Sequence, residues 1–311
     1  MNLGILFAGQ GSQKVGIGKD FYEKSQAFKK IFDLLTDKQK KIAFEGPMEE
    51  LSETVNTQPI LVAFAGGVME ELKLAGVKPK MVAGLSLGEY SALYSAGAFD
   101  GETLMDVINL RATEMDKASK GIECAMYAIL AMEREELEKC CEESRDLGVV
   151  SMVNFNCPGQ IVISGEKKAV EKCAQLAREK GAKRCMPLSV SGPFHTELMK
   201  PAGIALKKRF GEIEFNDMEF PVIFNAIGRE KNHDETIRDL LTKQVSSSVY
   251  FEDSIRYMKK HGIDTIIEIG PGKTLSSFVR KTEKDIKCFN IETYEDLEKT
   301  LENLKGENNE G

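Results

Sequence analysis

No apolar run in the 311 residues approaches the roughly 20 residues that a membrane-spanning helix requires. The opening, Met1-Asn2-Leu3-Gly4-Ile5, lacks the basic start and long apolar stretch of a secretory leader. These absences lead us to expect a cytoplasmic protein with no membrane partner. No CxxC pair occurs among Cys124, Cys140, Cys141, Cys157, Cys173, Cys185 and Cys288, and their number is odd. That pattern reads as reduced thiols and not as a disulfide framework. Histidine is scarce. His195, His233 and His261 are the only three, and none stands at metal-ligand spacing from another His or Cys, so no metal site is expected. There is no dense basic run and the net charge is −7, which argues against nucleic acid as a partner. An acidic protein partner stays open, because a local basic patch can sit within an acidic total.

What is present reads as an ordinary globular chain: 42% of residues are apolar and 29% charged, in a chain long enough for one large domain or two modest ones. Short apolar strands at Leu3–Ala8 and Met81–Ala83 alternate with helices predicted at Gln58–Leu74, Glu89–Ala96 and Thr103–Ser119. Gly97 stops the second of these helices; Gly9-Gln10-Gly11-Ser12 reads as a loop, followed by a polar stretch up to the helix at Gln58. The alternation predicts a mostly parallel, covered sheet. From about residue 122 the rhythm becomes β-α-β-β-α-β: strand Ala125–Met132, helix Arg134–Asp146, strands Val149–Phe155 and Gln160–Ser164 around the turn Asn156-Cys157-Pro158-Gly159, helix Lys167–Lys180 and strand Lys183–Val190. That order is ferredoxin-like. The α/β pattern then resumes, with strands at Val222–Ala226, Thr265–Ile269 and Cys288–Ile291, and helices at Glu197–Arg209, after Gly272 through Val279, and at Tyr294–Lys305. The expected fold class is therefore α/β. Residues 1–121 and 191–305 would form a large, α/β-hydrolase-like domain with a mostly parallel sheet. Residues 122–190 would form a small inserted ferredoxin-like domain, and 306–311 a disordered tail.

Gly84-Leu85-Ser86-Leu87-Gly88 matches G-x-S-x-G between a buried strand and a helix, the setting of a nucleophile elbow. A serine there stands on a sharp turn that flanking glycines make sterically possible. The helix N-terminus beneath it favours developing negative charge, and the amide of Leu87 can donate to an oxyanion. The bare pattern also fits a glycine-rich turn without chemistry; the strand-turn-helix context favours the nucleophile.

A serine needs a base, because its neutral hydroxyl is a poor nucleophile. His233 and His261 lie in charged, surface-like segments. His195 lies in Ser191-Gly192-Pro193-Phe194-His195-Thr196, between an apolar strand and a helix, where α/β proteins collect catalytic groups. Taken alone, it could equally cap the helix that starts at Thr196. No acid stands out as its orienting partner; a backbone or amide carbonyl could hold the tautomer instead. Arg111 falls on the helical stripe of Leu104, Val107, Ile108 and Met115, and therefore faces inward. A buried guanidinium requires a partner: either a structural carboxylate or the free carboxylate of a substrate, which its planar fork suits.

Together these residues resemble the malonyl-CoA:acyl carrier protein transacylases. Leu6-Phe7-Ala8-Gly9-Gln10-Gly11-Ser12-Gln13 is similar to that family's F-x-G-Q-G-S-Q start, and Asn56-Thr57-Gln58-Pro59 to its T-Q-P segment. Asn156-Cys157-Pro158-Gly159-Gln160 is similar to its N-S-P-G-Q turn, and Gly270-Pro271-Gly272-Lys273-Thr274-Leu275 to its G-P-G-x-x-L. The resemblance covers nearly the whole chain. It implies Ser86 as acylated nucleophile, His195 as general base and Arg111 as partner of the malonyl carboxylate. It further implies the amides of Gln10 and Leu87 as oxyanion hole, the main-chain carbonyl of Gln244 as holder of the histidine, and Asn156 as a cleft-lining residue. The one departure is Leu85, which stands where the family usually carries histidine. That histidine is not the base, so the change bears on pocket polarity and acyl-chain selectivity.

The resemblance implies ping-pong malonyl transfer from malonyl-CoA to the phosphopantetheine thiol of acyl carrier protein, for fatty acid biosynthesis, by a monomer without cofactor. The alternatives are a serine thioesterase or hydrolase of the same fold, a malonyltransferase serving polyketide synthesis, and a non-enzymatic module. Lys183, Arg184, Lys207, Lys208 and Lys281 are candidates for a basic patch facing an acidic carrier, or simply a solvated lysine face.

Overall fold

The computed structural model describes residues 1–309, with side chains through Gly306. Ten strands follow one another among the described residues: β1 (Leu3–Phe7), β2 (Met81–Gly84), β3 (Cys124–Leu130), β4 (Val150–Cys157), β5 (Gln160–Glu166), β6 (Arg184–Leu188), β7 (Val222–Ile223), β8 (Val249–Tyr250), β9 (Thr265–Ile269) and β10 (Lys287–Ile291). The chain is α/β and divides into two compact units. One comprises residues 1–112, 214–223 and 255–311, the other residues 113–213 and 224–254.

The first unit holds a five-stranded sheet in the order β10-β9-β1-β2-β7, parallel throughout. Every residue of β1, β2 and β9 is buried. These are the near-continuous apolar runs that a parallel sheet covered on both faces requires. Because β1 and β2 are parallel neighbours, the loops leaving their carboxyl ends, at Ala8 and Leu85, emerge side by side. Ligand chemistry in open α/β sheets sits at such ends. The segment between Ser12 and the long helix, expected as a polar stretch, contains four short helices: Lys19–Lys24, Gln26–Phe32, Asp37–Glu45 and Met48–Ser52. They contribute Phe21, Phe28 and Phe32 to the core, with Phe21 and Phe28 stacked at 5.1 Å and Phe28 and Phe32 also at 5.1 Å.

The second unit holds a mixed sheet in the order β6-β3-β5-β4-β8. Strands β3 to β6 with the helices Arg134–Glu142 and Lys167–Glu179 form the ferredoxin-like arrangement. Leu137, Cys140, Cys141, Cys173 and Ala174 of the helices pack on Ile129, Ile163 and Cys185 of the sheet. A fifth strand, β8, joins parallel to β4 through Asn154↔Val249 and Phe155↔Tyr250. The unit is accordingly wider than residues 122–190: it takes in 113–121, 191–213 and 224–254, and with them His195 and Gln244. The expected strand Val222–Ala226 is reduced to Val222–Ile223, because Phe224 turns away to bridge Arg229. The last helix runs Tyr294–Asn309, so residues 306–309 are helical and not a loose tail, while 310 and 311 lie outside the described residues. A glycine such as Gly306 costs a helix only about 1 kcal/mol, too little to stop one whose Leu297, Thr300 and Leu304 are buried. No helix among the described residues is long and apolar enough to cross a membrane.

Candidate active site

Ser86 stands on a turn that only this glycine pattern permits. Its φ is 53°, in the left-handed region that a side chain enters at a cost of about 1–3 kcal/mol. The chain reverses sharply enough that a Cβ on Gly84 would lie 2.0 Å from the Gly88 carbonyl carbon. One on Gly88 would lie 2.1 Å from the Phe7 oxygen. Leu85 N–H donates to Phe7 O at 3.0 Å, fastening the turn to β1. The helix Gly88–Ser95 begins at once, with Leu87 as its N-cap. The amide of Leu87 thus belongs to the first-turn donors that have no intrahelical acceptor.

Gln10 follows β1 and is held from the helix Thr54–Leu74. Its Nε2 donates to Thr54 Oγ1 at 3.2 Å, and its Oε1 accepts from Gln58 Nε2 at 3.3 Å. Gly9 packs so closely on the elbow that a Cβ there would be 2.5 Å from the Leu85 oxygen. Gln10 and the serine turn are thereby coupled through direct backbone contact. Sequence reasoning missed Thr54 and Gln58 in this role; the T-Q-P segment Thr57-Gln58-Pro59 was an available signal for Gln58, and Thr54 carried none.

Arg111 is 1% exposed on the helix Gly101–Ser119, facing inward as its stripe requires. Its Nη2 donates to Ser86 Oγ at 3.3 Å, and its guanidinium lies 5.2 Å from the centre of the Tyr90 ring. Burial lowers the arginine pKa, while Tyr90 and the Glu89 charge act in the opposite direction. Burial likewise pushes the Tyr90 hydroxyl up to about 12, against the pull of Arg111. The first unit therefore brings Ser86, Arg111, Gln10 and Leu87 to one end of its parallel sheet.

The second unit presents His195, 5% exposed and also left-handed, with φ 62°. Its Nδ1 lies 2.9 Å from the main-chain oxygen of Gln244. A carbonyl can only accept, so Nδ1 carries the proton and Nε2 is left with its lone pair. Gln244 is the last residue of the helix Ile237–Gln244, where carbonyl dipoles favour a cationic ring. The helix start at Thr196 is capped by Thr196 itself, whose Oγ1 accepts from Leu198 N at 3.3 Å; the histidine is not the cap. Asn156 is buried near the end of β4, and its Oδ1 has no hydrogen-bond partner among the described residues. His233 and His261 are exposed, His261 with its Nδ1 on the Tyr257 oxygen at 2.8 Å. Lys183, Arg184, Lys207 and Lys208 are exposed on the second unit and Lys281 on the first.

Comparison with known proteins fits this arrangement. The acyl transferase domain family model matches residues 5–305. A malonyl CoA-acyl carrier protein transacylase of Bacillus subtilis (strain 168) is 42% identical over 311 residues, covering 98% of each chain. The solved structure of the transacylase of that name from Clostridium perfringens Atcc 13124 gives a TM-score of 0.93 at 39% identity, over 99% of this chain and 98% of that one. A type II PKS acyl-carrier protein in complex with its malonyl-transacylase gives 0.93 at 34% identity, over 97% of this chain and 100% of that one. By sequence along its whole length and by fold, this chain belongs to the malonyl CoA-acyl carrier protein transacylase family.

Proposed function

We propose that the chain moves a malonyl group from malonyl-CoA to the phosphopantetheine thiol of an acyl carrier protein, through a malonyl ester on Ser86. His195 Nε2 takes the Ser86 proton as Oγ attacks the thioester carbonyl. The tetrahedral oxyanion is met by the amides of Gln10 and Leu87. The C–S bond then breaks and CoA leaves as the thiol, with the proton from His195. In the second half the carrier thiol gives its proton to His195 and attacks the ester, the same hole serves again, and Ser86 recovers its proton. Gln244 keeps the histidine in the tautomer both halves need, and Asn156 is, by family resemblance, a further candidate to line the acyl group. The chemistry calls for no cofactor. We infer a monomer that works in the cytoplasm for fatty acid biosynthesis, with neither membrane nor nucleic acid as partner.

The observation that carries this reading is the guanidinium of Arg111 on Ser86 Oγ at 3.3 Å. A hydrolase of simple acyl groups has no use for a buried cation beside its nucleophile. A donor that ends in a carboxylate does, and bidentate pairing would hold its thioester over the serine. The test is intact-protein mass spectrometry after mixing with malonyl-CoA, with no carrier present. Wild type is expected to carry a malonyl adduct that Ser86→Ala lacks, and Arg111→Ala to favour acetyl-CoA over malonyl-CoA. Free malonate accumulating without adduct would replace this reading with hydrolysis.

A further inference from the structure

The acyl-transfer chemistry assigns no part to Tyr90, yet this residue has an unusual place. It is fully buried, four residues after the nucleophile, in the first turn of the helix Gly88–Ser95, where its N–H donates to Leu87 O at 3.1 Å. Ser86 and Tyr90 therefore belong to one rigid piece of backbone. Arg111 arrives on a different helix, by a long side chain with several rotatable bonds. Its guanidinium meets both members of that piece: Nη2 reaches Ser86 Oγ at 3.3 Å, and the planar group lies 5.2 Å from the ring centre of Tyr90. That separation is within the range at which an aromatic face attracts a cation, and the attraction is strongest where both groups are out of water. Both are: Tyr90 is 0% and Arg111 1% exposed.

We propose that Tyr90 is the positioning residue for Arg111: its ring holds the guanidinium at a fixed place beside the nucleophile and so sets the preference for acyl groups that end in a carboxylate. This rests on the reading of Arg111 as the carboxylate partner. The physical reason is pre-organisation. A guanidinium free to swing would have to be ordered each time the donor binds, and that cost falls only on donors that use it. Carboxylate-free donors never engage Arg111, so the ring matters little to them. Glu89, buried next in sequence, contributes the opposite charge that allows a cation to stay buried before the donor arrives.

The proposal separates the ring's electrons from its shape. Wild type, Tyr90→Phe, pentafluorophenylalanine introduced at position 90, and Arg111→Ala are compared for the rate of acyl-Ser86 formation from malonyl-CoA and from acetyl-CoA. Fluorination leaves the ring's shape nearly unchanged and reverses the charge of its face. Tyr90→Phe removes the hydroxyl's interaction with Arg111 but keeps the ring face, and is expected to lower the malonyl-to-acetyl ratio of kcat/KM by only a few-fold, well short of the fluorinated ring. The fluorinated ring is expected to lower that ratio about tenfold, wholly through malonyl-CoA, with the acetyl rate unchanged. An equal ratio for the phenyl and fluorinated rings would overturn the proposal, as would parallel losses with both donors. Should Arg111→Ala itself leave the ratio unmoved, the carboxylate role of Arg111 falls, and the role of Tyr90 with it. A shift in Arg111→Ala without one in the fluorinated protein removes Tyr90 alone.

Discussion

His195 Nδ1 sits 2.9 Å from the main-chain oxygen of Gln244, so the group that orients this imidazole is a backbone carbonyl and not an acid. A carboxylate in that place would carry a full charge. A carbonyl at a helix C-terminus carries only a partial one, which fixes the tautomer while favouring the imidazolium less strongly.

The first prediction follows from the backbone at that residue. His195 has φ 62°, a conformation that asparagine tolerates better than most side chains. His195→Asn is expected to fold with a thermal midpoint near wild type, while acyl-Ser86 formation slows by about 10²–10⁴-fold, the usual contribution of a general base. Stopped-flow or quenched mass spectrometry with malonyl-CoA measures the rate. A loss of less than tenfold would remove His195 from the role of base.

Among the described residues three other than glycine are left-handed: Ser86, His195 and Ala131. The first two are where the chemistry is proposed. Ala131 follows β3 at an exposed position, with its N–H donating to Gly159 O at 2.8 Å. Its strain serves no group in the site. Ala131→Gly is expected to raise stability by about 1 kcal/mol, and the unfolding midpoint by about 2 °C, with kcat unaltered. Calorimetry on the two proteins decides it; a lower midpoint would mean that the turn does not store that strain.

The elbow was legible because its requirements are local. Two glycines, a serine and the flanking strand and helix lie within a few residues, and their steric logic shows in the pattern itself. The inward face of Arg111 was legible from helical spacing, and His195 stood out among the histidines by its setting, and it is buried. Gln244 was not: its contribution is a main-chain oxygen, which leaves no mark on residue type, and only family resemblance pointed to it. The four helices between Lys19 and Ser52 escaped because each spans only five to nine residues, too short for periodicity to register. The local signs among them were the Ser25 N-cap and the Thr36–Gln39 capping box. Two-residue β8 depends wholly on pairing with β4, about a hundred residues away in sequence, and so do the limits of the second unit.

A third prediction concerns acid stability. Glu235 receives both arms of Arg229, at 2.8 and 2.9 Å, and the Asn232 amide at 2.7 Å. These contacts, the arginine first, lower its pKa from the ordinary 4.5 to about 2. A depressed carboxyl pKa gives stability that is fully present above the unfolded value and is lost as pH falls from about 4.5 toward about 2. Urea midpoints for wild type and Glu235→Gln should therefore differ most at pH 6 and converge as the pH is lowered through 4. A gap that stays constant with pH would show that the pair is not linked to stability. Because the pair is solvent-accessible, the gap should also narrow in added salt.

The last prediction tests how the proposed oxyanion hole is held. Gln58, buried on the helix Thr54–Leu74, donates its Nε2 to Gln10 Oε1 at 3.3 Å, and Gln10 donates in turn to Thr54 Oγ1 at 3.2 Å. Neither Gln58 nor Thr54 is assigned to the reacting atoms. Both fix the side chain of the residue whose main-chain N–H is proposed to stabilise the oxyanion. Gln58→Leu keeps the bulk and removes the donor, and Thr54→Val removes the acceptor. Each is expected to lower kcat by about tenfold with KM little changed, a fraction of the 10²–10³ that loss of a whole oxyanion donor costs. Because the proposed mechanism takes both half-reactions through the same hole, malonyl loading and transfer to carrier protein should slow by the same factor. The double variant should fall short of the product of the two single losses, because both act through one amide. A selective loss in only one half-reaction, or a pure rise in KM, would show that Gln58 and Thr54 shape substrate binding and leave the hole itself untouched.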